Sequence, residues 1–157
     1  MIVRRLPRRP CRLAAAGTLR YIRLSSNRQK DSAVVKAIRA ANLPRLESTR
    51  DTRDRVDLVT EETFGVTGLK ADQITYHPGD TAAAHYHLDC KHFFFVLAGR
   101  GLLHADTAVI ELGPGDVALI DENEVHWFEN PHDEDFTFIE LWVPAPRETV
   151  WVDPDDI

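Results

Sequence analysis

The sequence predicts an all-β sandwich or barrel preceded by one short N-terminal helix. From about residue 56 onward, short runs rich in Val, Ile, Phe and Thr follow one another at the roughly 8–12-residue spacing of antiparallel strands. Turn signals separate them: His77-Pro78-Gly79-Asp80, Gly99-Arg100-Gly101, Gly113-Pro114-Gly115-Asp116 and Asn130-Pro131. The strand–helix–strand alternation that a parallel sheet requires is missing from this region.

Each segment follows in order. Residues 1–30 hold eight Arg, one Lys and no Asp or Glu. They read as a disordered basic arm, either translated upstream sequence or a transit-like segment, with Pro7 and Pro10 interrupting the amphipathic helix of the latter. Residues 31–42 read as the helix. Asp31 or Ser32 can cap it, Ala33, Val34, Ala37, Ile38 and Ala41 recur at helical spacing, and Pro44 stops it. Residues 43–56 are polar and read as linker, so that 31–55 make a helix-and-linker segment. Strands are expected at about 56–60, 71–77, 83–87, 92–98, 101–105, 107–111, 117–121, 125–129 and 136–143. Together 56–145 make the barrel, and 146–157 read as a C-terminal tail.

Composition narrows the function. At 157 residues with 43% hydrophobic and 28% charged content, the chain is long enough for one domain with its own core. Its apolar runs fall short of the roughly 20 residues that span a bilayer. Cys11 and Cys90 cannot make a disulfide scaffold and suit a reducing compartment. After the basic arm, residues 31–157 carry a net charge of −15, which disfavours nucleic acid as a partner. The expected location is the cytoplasm, or the mitochondrial matrix if residues 1–30 are a transit peptide.

The histidines carry the chemical information. Seven occur: His77, His85, His87, His92, His104, His126 and His132. In His85-Tyr86-His87 the two imidazoles share one face of a strand. Two neighbouring buried imidazoles are costly without a partner, and a transition metal supplies one. His77 and His132 fall in turns and read as solvated. His104 lies near a hairpin and reads as no ligand. Alternation from His92 places Phe94 and Val96 on its face, and alternation from His126 adds Phe128, so these three are expected to line the pocket. Phe136, Phe138, Glu140 and Trp142 share a face of the last long strand. If that face is inward, Glu140 is a candidate catalytic general base, its pKa raised by burial; otherwise it is a rim carboxylate.

The spacing of these residues extends over two motifs. Gly79, His85, His87, His92 and Gly99 form one, and Gly115, His126 and Asn130 form the other. This pattern resembles the cupin superfamily, in a small single-domain form. The first cupin motif reads G-x5-H-x-H-x3,4-E-x6-G, and His92 stands where it has Glu. The second reads G-x5-P-x-G-x2-H-x3-N, and Asp121 and Asn123 stand in place of its Pro and Gly. The resemblance implies a cupin-type double-stranded β-helix, a jelly-roll barrel that often pairs as a homodimer. It also implies one divalent transition metal ion (Fe, Mn, Cu, Ni or Zn) on His85, His87, His92 and His126. Without the carboxylate such a site keeps a higher formal charge and is a stronger Lewis acid. The alternative is a three-histidine site with His92 turned away.

The function implied is a metal-dependent oxygenase or dioxygenase acting on a small organic substrate. A Lewis-acid isomerase of a sugar or keto acid is the rival enzyme, with Glu140 as its proton-transfer group. A metal- or ligand-binding sensor without turnover belongs to another class, as does a storage cupin, which would have little need of the histidines.

Overall fold

The computed structural model describes residues 35–48, 51–105 and 108–153. The basic arm, and residues 31–34 of the expected helix, lie outside them. The chain divides by its internal contacts after Val35, and the strands below all belong to the second unit, Lys36–Ile157.

Eleven strands form two antiparallel sheets among the described residues. Strands β1 (Leu46–Glu47), β2 (Asp54–Val59), β3 (Lys70–Tyr76), β10 (Phe136–Val143), β5 (Lys91–Ala98) and β8 (Val117–Ile120) build the larger sheet, in the order β1-β2-β3-β10-β5-β8. The smaller sheet is ordered β11-β4-β9-β6-β7, from β11 (Thr149–Trp151), β4 (His85–His87), β9 (His126–Glu129), β6 (Gly101–Ala105) and β7 (Ala108–Leu112). This is the all-β, cupin-type jelly-roll architecture expected from the sequence.

Alternation along the strands packs one face of each sheet into the core. In β10, Phe136, Phe138, Glu140 and Trp142 are all buried, and in β5 so are His92, Phe94 and Val96. Paired residues in neighbouring strands share a face, so register sorts the interior into rows. Ile74, Phe138 and Val96 form an apolar row. Asp72, Glu140 and Phe94 form the next, and Lys70, Trp142, His92 and Ile120 the row beyond. The barrel is thus hydrocarbon at one level and polar toward the other. Tyr76, Leu103, Leu112, Phe128 and Phe136 complete the apolar cluster.

The turns follow the expected chemistry. Gly79, Gly99 and Gly115 all have positive φ. At Gly99 a Cβ would meet Asp135 O at 2.0 Å, and at Gly101 it would meet the Phe136 ring at 2.3 Å, so this turn accepts no side chain. Asn123, at the motif position usually held by glycine, adopts φ +66°, which asparagine tolerates. Asn130 is fully buried and joins three segments. Its amide nitrogen donates to Tyr76 O (3.0 Å) and Glu134 O (2.8 Å), and its side-chain oxygen accepts from His132 N (3.1 Å).

Three segments differ from expectation. Residues 35–39 are not helical, and only Ala40–Asn42 forms a single 3-10 turn, without a side-chain cap and without a buried residue. A helix of about 12 residues is marginal in water unless it packs against something, and its described residues, 35–42, are all exposed. The expected linker holds β1 and the start of β2. The expected tail holds β11, which pairs with β4 in the register Thr149↔His87 and Trp151↔His85. Neither β1 nor β11 has enough residues to show a period, and pairing alone makes them strands. One short helix absent from the sequence reading, α1 (Glu61–Phe64), is closed by a capping box between Thr60 and Thr63.

Candidate metal centre

Three strand positions converge on one point. His85 and His87 face inward from β4, and His126 on β9 is the register partner of His85. One ligand atom from each of these three lies within 4.8 Å of the others. Every one of the three has its Nδ1 engaged elsewhere. His85 Nδ1 donates to Ala83 O at 2.9 Å and His126 Nδ1 to Glu124 O at 2.8 Å, each to the carbonyl two residues earlier. His87 Nδ1 meets Thr149 Oγ1 at 3.2 Å. Such bonds hold a ring's orientation and leave Nε2 for a metal. His87 Nε2 is buried with no hydrogen-bond partner, an orphan that a cation would satisfy.

The electrostatics favour metal over protons. Burial lowers the pKa of His85 to about 2, helped by His126, and that of His87 to about 3, helped by His92. Burial also lowers His126. All three imidazoles are therefore neutral near pH 7, the form that ligates. The donor set fits a divalent transition ion with nitrogen preference.

His92 stands beside this trio, outside the group gathered within 4.8 Å. Its Nδ1 lies 3.3 Å from His126 Nε2, and its Nε2 lies 3.2 Å from Glu140 Oε2. Because His126 Nδ1 is the proton-bearing nitrogen, its Nε2 lone pair either accepts from His92 Nδ1–H or ligates an ion, not both. In the first case His92 Nε2 carries a lone pair toward Glu140. Burial pushes the Glu140 carboxyl up to about 7, against the pull of Arg53 and Lys70, and the 3.2 Å approach to His92 Nε2 lacks hydrogen-bond geometry. Trp142 stacks on His92 at 4.5 Å and 20°. Burial, with His126 beside it, keeps the His92 pKa well below the usual value.

Of the other expected residues, Phe94 lies directly against His92, ring centroids 4.1 Å apart, while Val96 and Phe128 belong to the apolar core. The three do not line the cavity that opens beside the histidines. Val96 sits in the row of Ile74 and Phe138, one level deeper. Glu140 does line this cavity, which has a volume of about 280 Å³. The remaining histidines lie elsewhere. His77 sits between Asp54 (3.0 Å) and Asp135 (2.9 Å), whose hydrogen bonds raise its pKa. His104 faces Glu129 at 3.0 Å, and His132 lies 3.5 Å from Glu111.

Several cavity residues escaped the sequence reading. Arg53, Arg55, Lys70, Asp72 and Trp151 all line it. Lys70 and Asp72 precede Ile74 and Tyr76 at two-residue spacing, a signal legible in the alternation of β3. Arg53 lay in a stretch read as linker, and Trp151 in one read as tail. Arg53 Nη1 donates to Tyr76 Oη at 3.2 Å. Burial works against its charge, but Tyr76, Glu140 and Asp51 together raise its pKa. Burial also raises Asp72 to about 7, although Lys70 Nζ, 2.8 Å away, opposes this.

Comparison with known proteins agrees with this geometry. The family model described as a cupin domain matches residues 73–144. No curated protein matches the chain in sequence. Among solved structures, a predicted oxalate decarboxylase from Thermotoga maritima superposes with a TM-score of 0.62 at 20% identity, covering 70% of this chain and 100% of its own. A sugar phosphate isomerase from Silicibacter pomeroyi gives 0.66 at 20%, covering 76% and 83%. The polyketide cyclase RemF from Streptomyces resistomycificus gives 0.68 at 17%, covering 78% and 89%. At these identities the likeness is one of fold.

Proposed function

Starting from a chain that belongs to the cupin superfamily through residues 73–144, we propose that it is a metal-dependent enzyme moving a proton on a small oxygenated substrate. The observation that carries this is Glu140. It is a buried carboxyl with a pKa near 7, in the same cavity as the three gathered histidines. A general acid–base group works best when its pKa lies near the working pH. His85, His87 and His126 would hold a divalent transition metal, which polarises a substrate oxygen and acidifies the neighbouring C–H. Glu140 Oε2 takes that proton or returns it, 3.2 Å from His92 Nε2. Trp142 and Phe94 pack against the His92 ring and hold it in place. The sugar phosphate isomerase of similar fold lends support, since isomerising a sugar phosphate moves a proton between neighbouring carbons.

The test loads the protein separately with Mn, Fe, Ni and Zn and offers a panel of small hydroxy and keto compounds in D₂O. Deuterium should enter a substrate C–H without dioxygen uptake. Glu140→Gln should retain metal and lose exchange by about 100-fold or more. Dioxygen consumed in step with substrate, without exchange, would overturn the proposal in favour of the oxygenase. Full metal content without turnover of any compound would favour the sensor. We further propose a homodimer as the working assembly, for which the outer face of the larger sheet is suited.

A further inference from the structure

We propose that the wall of the cavity facing the histidines is an oxyanion-binding surface, formed by Arg53 and the indole N–H of Trp142, so that the substrate carries a carboxylate or phosphate. The proposal rests on the metal-dependent reading above and names the substrate class of the same site.

The argument begins with donors that lack acceptors. Trp142 Nε1 is buried without a hydrogen-bond partner in a residue only 5% exposed. The indole nitrogen can only donate, and the ring cannot swing to find a partner. His92 stacks on it, and Lys70 Nζ sits 4.7 Å from its centroid. Arg53 Nε and Arg55 Nε are likewise buried without hydrogen-bonded acceptors. Asp51 lies 3.3 Å from the first and Asp57 2.9 Å from the second, but neither pair has hydrogen-bond geometry. All three donor side chains line the 280 Å³ cavity that also holds His85, His87 and His92.

An unpaired buried donor is costly, and Trp142 Nε1, with two guanidinium groups on the same cavity, calls for a ligand that brings acceptors. The wall does contain carboxylates. Asp72, whose two oxygens lack hydrogen-bond partners, lies 2.8 Å from Lys70 Nζ, and Glu140 lies 3.2 Å from His92 Nε2, so each carboxylate already has a basic neighbour. A neutral polyol would bring as many donors as acceptors. An oxyanion brings only acceptors, and its charge and paired oxygens match guanidinium. The volume lies just under the ~300 Å³ at which drug-sized pockets begin, which suits a small organic acid or a short phosphate ester.

The test uses ¹⁵N-labelled protein, metal-free and zinc-loaded, titrated with two matched pairs: pyruvate with methyl pyruvate, and dihydroxyacetone phosphate with dihydroxyacetone. The three indole N–H signals are assigned with Trp142→Phe. The Trp142 signal should shift with an anion and not with its neutral partner, and the tighter anion identifies the oxyanion. Affinity should fall about tenfold in Trp142→Phe and in Arg53→Met at unchanged zinc content. Neutral analogues binding as tightly as the acids would overturn the proposal. So would full affinity in both variants, which would mean that the metal alone holds the anion. If the chain takes up no zinc, the metal-dependent reading fails, while the indole shift in metal-free protein still decides the oxyanion wall.

Discussion

Thr149 Oγ1 lies 3.2 Å from His87 Nδ1 and, with the Glu148 backbone, sets which nitrogen of His87 faces the gathered trio. The other two rings are held by backbone carbonyls, which no substitution removes. Thr149 is therefore the accessible handle on ring orientation. Thr149→Val keeps the shape and the β-branch and deletes the hydroxyl. Metal affinity, measured by competition with a chromophoric chelator, should fall roughly tenfold, the lower end for loss of such a supporting bond. Unchanged affinity would show that the backbone near Glu148 orients His87 without the hydroxyl. His92 illustrates the limit of reading single residues. Its place on the inward face of β5 was legible from two-residue alternation. Its position against Glu140 depends on which groups surround it, and no local pattern encodes that.

At the scale of elements, the larger sheet has two unlike faces. Inward it presents the rows described above. Outward, Phe93, Phe95 and Leu97 of β5 and Val117 and Leu119 of β8 are all between 37% and 59% exposed. The register Phe93↔Leu119 and Phe95↔Val117 makes them contiguous. The face also ends at β8, an edge strand whose outer side is unpaired within the sheet. Contiguous exposed apolar surface of this kind marks an interaction site, and open edges invite pairing. A second copy is the occupant proposed, because residues 31–157 carry −15 in charge and like copies repel wherever acids dominate, whereas these five side chains carry none. Light scattering coupled to size exclusion should give twice the chain mass. The double variant Val117→Lys, Leu119→Lys should give the monomer with an unchanged circular dichroism spectrum. A monomeric parent would sink the dimer.

For the molecule as a whole, the buried ionisable groups set how stability responds to acid. His85, His87, His92 and His126 all have folded pKa values below the ordinary 6.5. Below pH 6.5 the unfolded chain therefore binds protons that the folded chain refuses, and stability falls as pH falls. Glu140 and Asp72, raised to about 7, act in the opposite sense between their ordinary values near 4 and about 7, because there the folded chain keeps protons that the unfolded chain has lost. Four groups outweigh two. His77, raised by Asp135 and Asp54, also acts against them, and the four buried imidazoles still set the direction, a loss of stability on mild acidification. The Tm of metal-free protein should drop between pH 6.5 and 5, and saturating metal should raise it more at pH 7 than at pH 5. A flat or rising Tm on acidification would show that these imidazoles are not held neutral.

Sequence by itself determined the strand period, the facing of His85 with His87, the turn glycines and the family pattern that ties His126 to them. These are local properties, set by side-chain alternation and by backbone conformations that few residues accept. Tertiary structure alone decided that β11 returns to cover β4, that Arg53 enters the cavity, and that three histidines gather while His92 meets Glu140. Periodicity tells which face a residue occupies. Which residue lies opposite depends on pairing between strands far apart in the chain, and on the burial and charge they jointly create.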